Sequence, residues 1–348
     1  MLNKYVKRFF MLSTLLSLMI AMACDSTEKV IKEVEHDSGK LVVYSGRSES
    51  LVGPIIEQFT EATGIKVSVK YGGTGALAAT LLEEGKNSPA DVFFAQDPGG
   101  LGAVANAGQL SPLSSKILDK VPRWAKSDKG LWVGISGRAR VVVYSTKNGV
   151  SPSDLPTSIL GFTDSKWNGR IGWPPTNASF QSMVTAMRIE LGEAKTKKWL
   201  EGIKANNPKV YPKNTPTVAA VAAGEIDIGF VNHYYLHRFI AEEGEGFSAR
   251  NHHLTSGGPG SLIMVAGAGI LSTSKNQSNA ETFVNFMLSK IVQQYFTGST
   301  YEYPVIEGVK ANPLLTPIDD INKPVIDMAS LEDLAGTQKL LKDIGLLN

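Results

Sequence analysis

Two adjacent tyrosines, Tyr234 and Tyr235, are the residues whose types and spacing most clearly indicate a binding site in this sequence. They follow a largely apolar, β-branched run at residues 226–231, which predicts a short buried strand. Asn232 is expected to cap the helix that follows, and Gly244 is expected to end it. Both tyrosines are therefore expected in the first turn of a helix at the carboxyl end of a strand. Open α/β sheets bind ligands at that edge.

The two phenol oxygens of this pair could together bind one metal ion. Neighbouring side chains in a first helical turn diverge by only about 100°, so both phenols could reach one point in a cleft. A phenol ionises near pH 10, and two phenolates at neutral pH therefore need a strong cation and the positive end of a helix. Ferric iron suits oxygen ligands, whereas zinc favours His and Cys.

Simpler interpretations stay open for these residues. In the commoner arrangement of a Tyr-Tyr pair, one ring packs in the core and the other lies on the surface. His233 and His237 stand at positions i and i+4 and could form a separate metal face. The motif offers no third ligand, so we expect both histidines to be solvated.

The first 23 residues have the pattern of an export signal. Three basic residues precede an apolar run at residues 9–22, which is too short for a membrane span, and Cys24 follows directly. Cys24 is the only cysteine, so no intrachain disulfide can form. It resembles the lipidated cysteine of bacterial lipoproteins, although Ala21 stands where that motif usually has Leu. The alternative is ordinary cleavage after Ala23 and a free periplasmic protein.

Composition limits the partners and the domain organisation. Removing the signal takes away three of the 35 basic residues and leaves 32 against 33 acidic ones. A near-neutral chain without basic clusters argues against nucleic acid as a partner. The 348 residues are enough for two domains. The polar, charged segment 24–39 is expected to be a flexible tether between a lipid anchor at Cys24 and the domain.

Strand and helix patterns alternate from residue 40 onwards, which predicts a mostly parallel α/β sheet. Apolar strands are expected at residues 41–45, 65–69, 91–95, 170–173 and 209–211. Long helices are expected at residues 180–204, 279–296 and 331–347.

Two longer extended segments are expected to cross between lobes. They span residues 132–146, with a break around Ser136-Gly137, and residues 262–271. Two α/β lobes joined by two crossings enclose a cleft, and hinge closure could trap a ligand there.

Four segments resemble motifs of the bacterial ferric-iron-binding proteins, the substrate-capturing subunits of ABC-type iron importers. They are residues 43–46 (VYSG), 89–94 (PADVFF), 136–144 (SGRARVVVY) and 232–235 (NHYY). The likeness runs from about Lys40 to the C-terminus, and the last two motifs in combination are specific to that family.

The resemblance implies a fold and its division. The fold is the type II periplasmic-binding-protein fold, with two α/β lobes, a hinge and an interlobe cleft. The N-terminal lobe would comprise residues 40–140 and 265–315. The C-terminal lobe would comprise residues 141–264 and 316–348.

The resemblance also implies that Tyr234 and Tyr235 are iron-ligating phenolates. Two positions depart from the family pattern, because a ligating His of several members is Ser48 here and a ligating Glu is Gln96. Neither side chain is a strong ferric ligand. The remaining iron sites would then be filled by an exogenous anion, by water or by a neighbour such as Asp97.

The family holds a synergistic anion, and carbonate or phosphate is the expected anion here. The matching residues are the loop Asn177-Ala178-Ser179 and Asn214. Backbone N–H groups at helix N-termini favour anions in any protein, and Arg47 and Arg138 could clamp the anion from the opposite lobe.

Structural roles are the alternatives for these polar residues. Asn177 and Asn214 could simply cap helices. Arg138 and Arg140 could form structural ion pairs at the lobe crossing.

The leading prediction is a monomeric extracytoplasmic receptor that captures ferric iron and hands it to an ABC-type permease in the cytoplasmic membrane. The alternative keeps the fold but binds phosphate, a phosphonate or a small organic acid without iron. An enzyme is disfavoured, because the pyrrole-assembling transferases of this fold need a cysteine for their cofactor and Cys24 lies outside the domain. The common hydrolase, metalloprotease and phosphate-loop motifs do not occur in the sequence.

Overall fold

The computed structural model describes residues 39–326 and 328–347, and within these ranges nine strands form one sheet. Cys24, the predicted signal peptide and the predicted tether lie outside the described residues. The strands are β1 Lys40–Ser45, β2 Lys66–Tyr71, β3 Val92–Ala95, β4 Val133–Ser145, β5 Ile171–Trp173, β6 Lys209–Val210, β7 Ile228–Asn232, β8 Ala249–His252 and β9 Ile263–Ile270.

The strand order is β2-β1-β3-β9-β4-β7-β5-β6, with β8 paired beside β4. Strands β1, β2 and β3 pair in parallel at one end, and β5, β6 and β7 pair in parallel at the other. The pairs that involve β4 or β9 are antiparallel. The sheet is therefore mixed, and the expectation of a mostly parallel sheet holds only within each end.

Eleven α-helices accompany the sheet within the described ranges. They are α1 Glu49–Thr63, α2 Thr74–Glu84, α3 Pro98–Asn106, α4 Ser115–Leu118, α5 Ala178–Leu191, α6 Glu193–Ala205, α7 Asn214–Ala222, α8 Tyr234–Glu243, α9 Gln277–Met287, α10 Lys290–Ser299 and α11 Leu334–Asp343. No helix in the part of the chain that the structure describes is long and apolar enough to cross a membrane.

Two long predicted helices are each divided in the structure. Gly192 has φ +81° and separates α5 from α6, because a left-handed residue cannot continue a helix. Ser289 separates α9 from α10, and its hydroxyl accepts a hydrogen bond from the N–H of Val292 as an N-cap. The predicted C-terminal helix is shorter than expected and begins at Leu334, where Asp333 caps it.

Strand β4 is the longer of the two predicted crossings, and all of its residues are buried. Its first part, up to Ala139, pairs with β9, and from Arg140 onwards it pairs with β7. A register shift lies between Gly134 and Ser136, close to the predicted break. The change of partner between Ala139 and Arg140 lies one residue before the predicted lobe boundary at 140/141. The full lobe boundaries stay a prediction.

The hydrophobic core has distinct aromatic contacts in each half. Phe59 of α1 meets Phe283 of α9 edge to face, with ring centroids 5.1 Å apart. In the second half Trp173 meets Phe180 edge to face at 5.7 Å, and Leu341 of α11 joins the same cluster. Strands β3, β4, β7 and β9 are buried throughout, so both faces of the central sheet are covered.

Glycine at position 267 permits the close approach of β4 and β9. A Cβ added there would lie 2.8 Å from the carbonyl oxygen of Val133 and 2.9 Å from Cδ1 of Leu101. Gly267→Ala should therefore lower the free energy of unfolding by about 1–3 kcal/mol, as overpacked cores do. Equilibrium urea unfolding measures this change.

Gly298 is the matched control, because it is exposed in α10 and a Cβ there meets open space. Gly298→Ala should raise the free energy of unfolding by about 0.5–1 kcal/mol, since alanine loses less backbone entropy on folding. Equal effects at both positions would contradict the close packing at the crossing.

Candidate metal site

A cleft of about 780 Å³ lies between the two ends of the sheet. One wall is formed by the segments that follow β1 and β3 and by the start of α2. The other wall is formed by the starts of α5, α7 and α8 together with α11. The polar lining includes Arg47, Ser48, Thr74 and Gln96 on the first wall, and Asn177, Lys213, Tyr235 and Lys342 on the second.

Tyr234 and Tyr235 occupy the first turn of α8 with their rings stacked. The ring centroids are 4.2 Å apart and the planes are inclined by 28°. Tyr235 lines the cleft with 7% of its surface exposed, and Tyr234 is fully buried beside it. The arrangement contradicts the alternative in which one ring packs in the core and the other lies on the surface.

The hydroxyl of Tyr234 is buried and makes no hydrogen bond of standard geometry with the described residues, although the guanidinium of Arg47 is close enough to interact with it. An unsatisfied buried polar group costs about 1–3 kcal/mol, so native proteins rarely leave one without a purpose. A ligand that bonds to this oxygen would remove the cost.

The junction between β7 and α8 differs in detail from the prediction. Asn232 is the last residue of β7 and does not cap the helix. Its buried side chain accepts a hydrogen bond from Nη1 of Arg140 at 3.0 Å and donates one to Oγ of Ser179 at 3.0 Å. His233 precedes α8 with helical backbone angles, so the strand leads directly into the tyrosine turn. Gly244 ends the helix as predicted.

His233 is buried, and the expectation that it is solvated is wrong. Its Nδ1 accepts a hydrogen bond from the N–H of Ala139 at 3.1 Å, and its Nε2 donates one to the carbonyl of Tyr301 at 2.8 Å. Burial and the neighbouring histidines His237 and His253 lower the pKa of His233 well below its ordinary value. Both ring nitrogens of the neutral side chain are therefore occupied, which leaves neither for a metal.

His237 is half-buried and stacks on the ring of Tyr301, with centroids 5.5 Å apart. Throughout residues 39–326 and 328–347, no group of three or more His, Cys, Asp or Glu side chains is placed to hold a metal ion. A metal in this part of the chain would therefore depend on other ligands, and the tyrosine oxygens are the candidates that the cleft offers.

Arg47 carries a buried positive charge to the tyrosines. Its Cζ lies 5.8 Å from the ring centroid of Tyr234, and its Nη2 donates to the carboxylate of Glu302. That carboxylate also accepts hydrogen bonds from the hydroxyls of Ser136 at 2.6 Å and Thr300 at 3.1 Å. Burial acts to lower the pKa of Arg47, but Glu302 and the tyrosines raise it above its ordinary value. Nε and Nη1 of Arg47 have no partner in the described chain.

Arg138 and Arg140 are also buried, and neither has a carboxylate within 4 Å among the described residues, so the ion-pair alternative is wrong. Nη2 of Arg138 donates to the carbonyl of Val265 at 3.0 Å. Burial and the charge of Arg138 lower the pKa of Arg140 to about 9. Nε of Arg138 and both Nε and Nη2 of Arg140 have no acceptor among the described residues. No carboxylate of the described chain forms an ion pair with these guanidiniums, and an incoming anion or a phenolate would supply the missing negative charge.

Groups around Tyr234 shift its pKa in opposite directions. Burial raises the pKa of Tyr234 above its ordinary value, and Tyr235 and Glu302 raise it further. The charges of Arg47 and Arg138 act in the opposite direction. The net shift is upward, so the phenol is protonated at neutral pH.

The predicted anion loop stands at the start of α5. Oδ1 of Asn177 accepts a hydrogen bond from the N–H of Ser179 at 3.0 Å, so its capping role is confirmed. Ala178 lines the cleft. Ser179 is fully buried, and its hydroxyl accepts a hydrogen bond from Nε2 of Gln96 at 2.6 Å.

Asn214 does not cap α7, because it is the first residue of the helix and Lys213 occupies the cap position. Its side chain is buried, and its Oδ1 has no partner among the described residues. Its Nδ2 lies 3.5 Å from Oδ1 of Asn177, which brings the starts of α5 and α7 together. The two predicted anion segments are therefore neighbours.

The three weaker candidate metal ligands, Ser48, Gln96 and Asp97, differ in their position relative to the cleft. Ser48 is exposed on the cleft wall, and Gln96 lines the cleft while its amide bonds to Ser179 across it. Asp97 is buried at the start of α3 and is not part of the cleft lining. Burial raises the pKa of Asp97, and Arg138 partly offsets the rise.

Sequence reasoning missed Glu302 and Tyr301, which complete the surroundings of the tyrosines. Glu302 lies 255 positions from Arg47 in the chain, so no local pattern connects them. One weak signal exists in the segment 301–303, where a carboxylate stands between two tyrosines.

Comparison with known proteins places the chain in a family. Residues 44–294 match the family model described as bacterial extracellular solute-binding protein. The major ferric iron-binding protein of Neisseria meningitidis is 36% identical, over 88% of this chain and 93% of its own. The Fe(3+)-binding periplasmic protein of Serratia marcescens is 34% identical, over 88% of this chain and 90% of its own.

Solved structures agree with these relatives. Iron-bound HitA from Pseudomonas aeruginosa has a TM-score of 0.85 at 34% identity and covers 88% of this chain and 99% of its own. The Trichodesmium protein IdiA (FutA), solved with iron and citrate ligands, has a TM-score of 0.74 at 30% identity, over 88% of this chain and 100% of its own. The predicted two-lobed type II periplasmic-binding-protein fold is thereby confirmed. The chain belongs to the bacterial extracellular solute-binding proteins, in the branch of the ferric-iron-binding periplasmic proteins.

Proposed function

We propose that this protein captures ferric iron outside the cytoplasm and delivers it to an ABC-type permease, with Tyr234 and Tyr235 as phenolate ligands. The observation that carries the proposal is the stacked tyrosine pair, of which Tyr235 lines the cleft and Tyr234 lies buried directly beside it. The hydroxyl of Tyr234 makes no hydrogen bond of standard geometry among the described residues, and three buried arginines lie nearby. The names of the relatives support iron as the cargo. Family membership supports delivery to a permease.

Capture exchanges protons for the metal. Each phenol loses its proton when its oxygen bonds to iron, and the trivalent ion supplies the charge that makes ionisation favourable in a buried site. Arg47 and Arg138 stabilise the phenolate form of Tyr234, since both lower its pKa. No covalent bond of the cargo is made or broken, so the protein acts as a receptor.

An anion completes the proposed site. Ser48 and Gln96 are weak ferric ligands, and the buried Asp97 is not part of the cleft lining. Carbonate or phosphate would therefore fill the remaining iron positions. It would lie between the starts of α5 and α7, near Asn177-Ala178-Ser179 and Asn214. It would accept hydrogen bonds from those N–H groups of Arg47 and Arg138 that have no acceptor among the described residues.

The same arginines would also suit an anion bound without iron. That alternative leaves the tyrosine pair without a purpose, because a phosphate or organic acid does not need two adjacent phenols at its site. The iron-bound structural relative and the names of the sequence relatives also favour ferric iron over the alternative.

We further propose an extracytoplasmic monomer that is anchored through a lipid on Cys24 after removal of residues 1–23. The pattern of the export signal and the position of Cys24 support this anchor. Residues 24–39 would then be the tether. Residues 40–140 with 265–315 and residues 141–264 with 316–348 would be the two lobes.

Ferric citrate added to the purified protein should produce a new visible absorption band from phenolate-to-iron charge transfer. Tyr234→Phe and Tyr235→Phe should each weaken or shift the band, and the double variant should abolish it, because the oxygens that donate charge are gone. Visible absorption titration measures the effect.

Tyr71→Phe is the matched control, because Tyr71 also borders the cleft but is not part of the stacked pair. This variant should keep the wild-type band. A wild-type protein without a new band, or a double variant with an unchanged band, would disprove the iron proposal.

Iron binding should release protons and strengthen as the pH rises. The pKa of Tyr234 is raised above 10, so the phenol is protonated in the free protein across the neutral range and ionised in the complex. Binding should therefore become more favourable by about 1.4 kcal/mol per pH unit for each proton released. Titration calorimetry in buffers of different ionisation enthalpy counts those protons.

The number of protons released per iron is compared between wild type and Tyr234→Phe, each titrated with the same ferric chelate. Protonation of the chelator contributes equally to both titrations, so it cancels in the difference. The variant should release about one proton fewer per iron, since one ionising phenol is missing. Equal proton release by both proteins would mean that Tyr234 does not ionise on binding.

A further inference from the structure

We propose that His233 is a positioning residue for the iron site, because it ties the tyrosine turn of α8 to the segment 300–303 that directs Glu302 towards Arg47. The inference rests on the proposed capture of iron by Tyr234 and Tyr235. It adds a residue that supports the ligands without touching the metal.

The first contact of His233 is with β4. Its backbone N–H donates to the carbonyl of Ala139 at 3.0 Å, and its Nδ1 accepts from the N–H of Ala139 at 3.1 Å. Both peptide groups of Ala139 therefore bond to one residue. Ala139 is the residue at which β4 changes its pairing partner, so the tyrosine turn is fixed to the crossing itself.

The second contact is with the segment 300–303. Nε2 of His233 donates to the carbonyl of Tyr301 at 2.8 Å, and the ring of Tyr303 stacks on the imidazole with centroids 4.8 Å apart. An acceptor at Nδ1 and a donor at Nε2 define one tautomer of a neutral ring. The two hydrogen bonds fix the plane of that ring.

The segment 300–303 needs such support. Tyr301 has φ +56°, a left-handed conformation that a non-glycine residue adopts only when its surroundings hold it there. The backbone of Tyr303 is tied to Gly137 of β4 by two hydrogen bonds, at 2.7 and 2.9 Å. Between these two residues, Glu302 is fully buried and its carboxylate meets the guanidinium of Arg47.

These contacts form a closed series of residues around the phenol of Tyr234. His233 bonds to the carbonyl of Tyr301, and the next residue, Glu302, pairs with Arg47. Arg47 in turn contacts the ring of Tyr234, the residue next to His233. A shift of the Tyr301 carbonyl would move the Glu302 carboxylate. The charge of Arg47 near Tyr234 would move with it, and so would the energy of the iron–phenolate bond.

His237 provides the natural contrast to His233. It lies one turn further along α8 and stacks on the ring of Tyr301, but its ring makes no hydrogen bond within the described chain. A role that depends on the hydrogen bond to the Tyr301 carbonyl therefore belongs to His233 alone of the two.

Three substitutions separate the two hydrogen bonds of the imidazole. His233→Gln can place an amide N–H near the position of Nε2, and His233→Asn can place an amide oxygen near the position of Nδ1. His233→Ala removes both groups, and His237→Gln is the matched control. For each iron-loaded protein, release of iron to excess chelator is followed through the visible band, together with the wavelength of that band. The Tm of the metal-free protein is measured in parallel.

His233→Asn and His233→Ala should release iron about tenfold faster than wild type and shift the band, because the carbonyl of Tyr301 loses its donor. His233→Gln should remain closer to wild type in its iron-release rate and in the wavelength of its band. His237→Gln should match wild type in both quantities. If His233→Ala does not fold, the Asn and Gln variants still carry the comparison.

Two results would overturn the inference. Wild-type release rates and an unshifted band in the His233 variants, with only a lower Tm, would make the residue purely structural. If His233→Asn and His233→Gln changed the iron-release rate and the band wavelength equally, the hydrogen bond to the Tyr301 carbonyl would have no role. A wild-type protein without a visible band is a separate failure, because it overturns the proposed function before any variant is compared.

Discussion

The buried charge around the tyrosine pair is the constraint on which the rest of this site depends. Three guanidiniums, those of Arg47, Arg138 and Arg140, are withdrawn from water, and among the described residues only Arg47 pairs with a carboxylate. Burial of an unpaired charge is costly unless a partner of opposite sign arrives. Two ionised phenols and a bound anion would supply the negative charge that these guanidiniums lack.

The crossing strand positions these groups by its alternation. Arg138 and Arg140 are two residues apart on β4, so their side chains lie on the same face of the strand. The residue between them, Ala139, uses its backbone to hold His233, which precedes the tyrosines. One strand therefore positions both the guanidiniums of Arg138 and Arg140 and the turn that carries the tyrosine pair. The antiparallel pairing of β4 with β9 and with β7 connects the two ends of the sheet at this same point.

The sequence allowed the tyrosine turn, the cleft and the crossing strand β4 to be predicted, because each depends on local patterns of strands, glycines and helix starts. The second predicted crossing is strand β9, which among the described strands pairs only with β3 and with the first part of β4, so its role as a crossing stays a prediction. Residues whose roles depend on distant partners were misjudged. Asn232 was expected to be a helix cap, but it bonds to Arg140 and to Ser179, 92 and 53 positions away. His233 was expected in solvent, but it is buried against Tyr301, 68 positions further along the chain. Local propensity contains no information about such contacts.

The central claim is that both phenol oxygens bind one iron ion. Anomalous diffraction at the iron absorption edge, from crystals of the iron-loaded protein, tests it directly because it locates the metal independently of any assumed ligand. A single anomalous peak is expected at the cleft, within bonding distance of the hydroxyl oxygens of both Tyr234 and Tyr235. A peak elsewhere, or one that touches only one of the two oxygens, would contradict it.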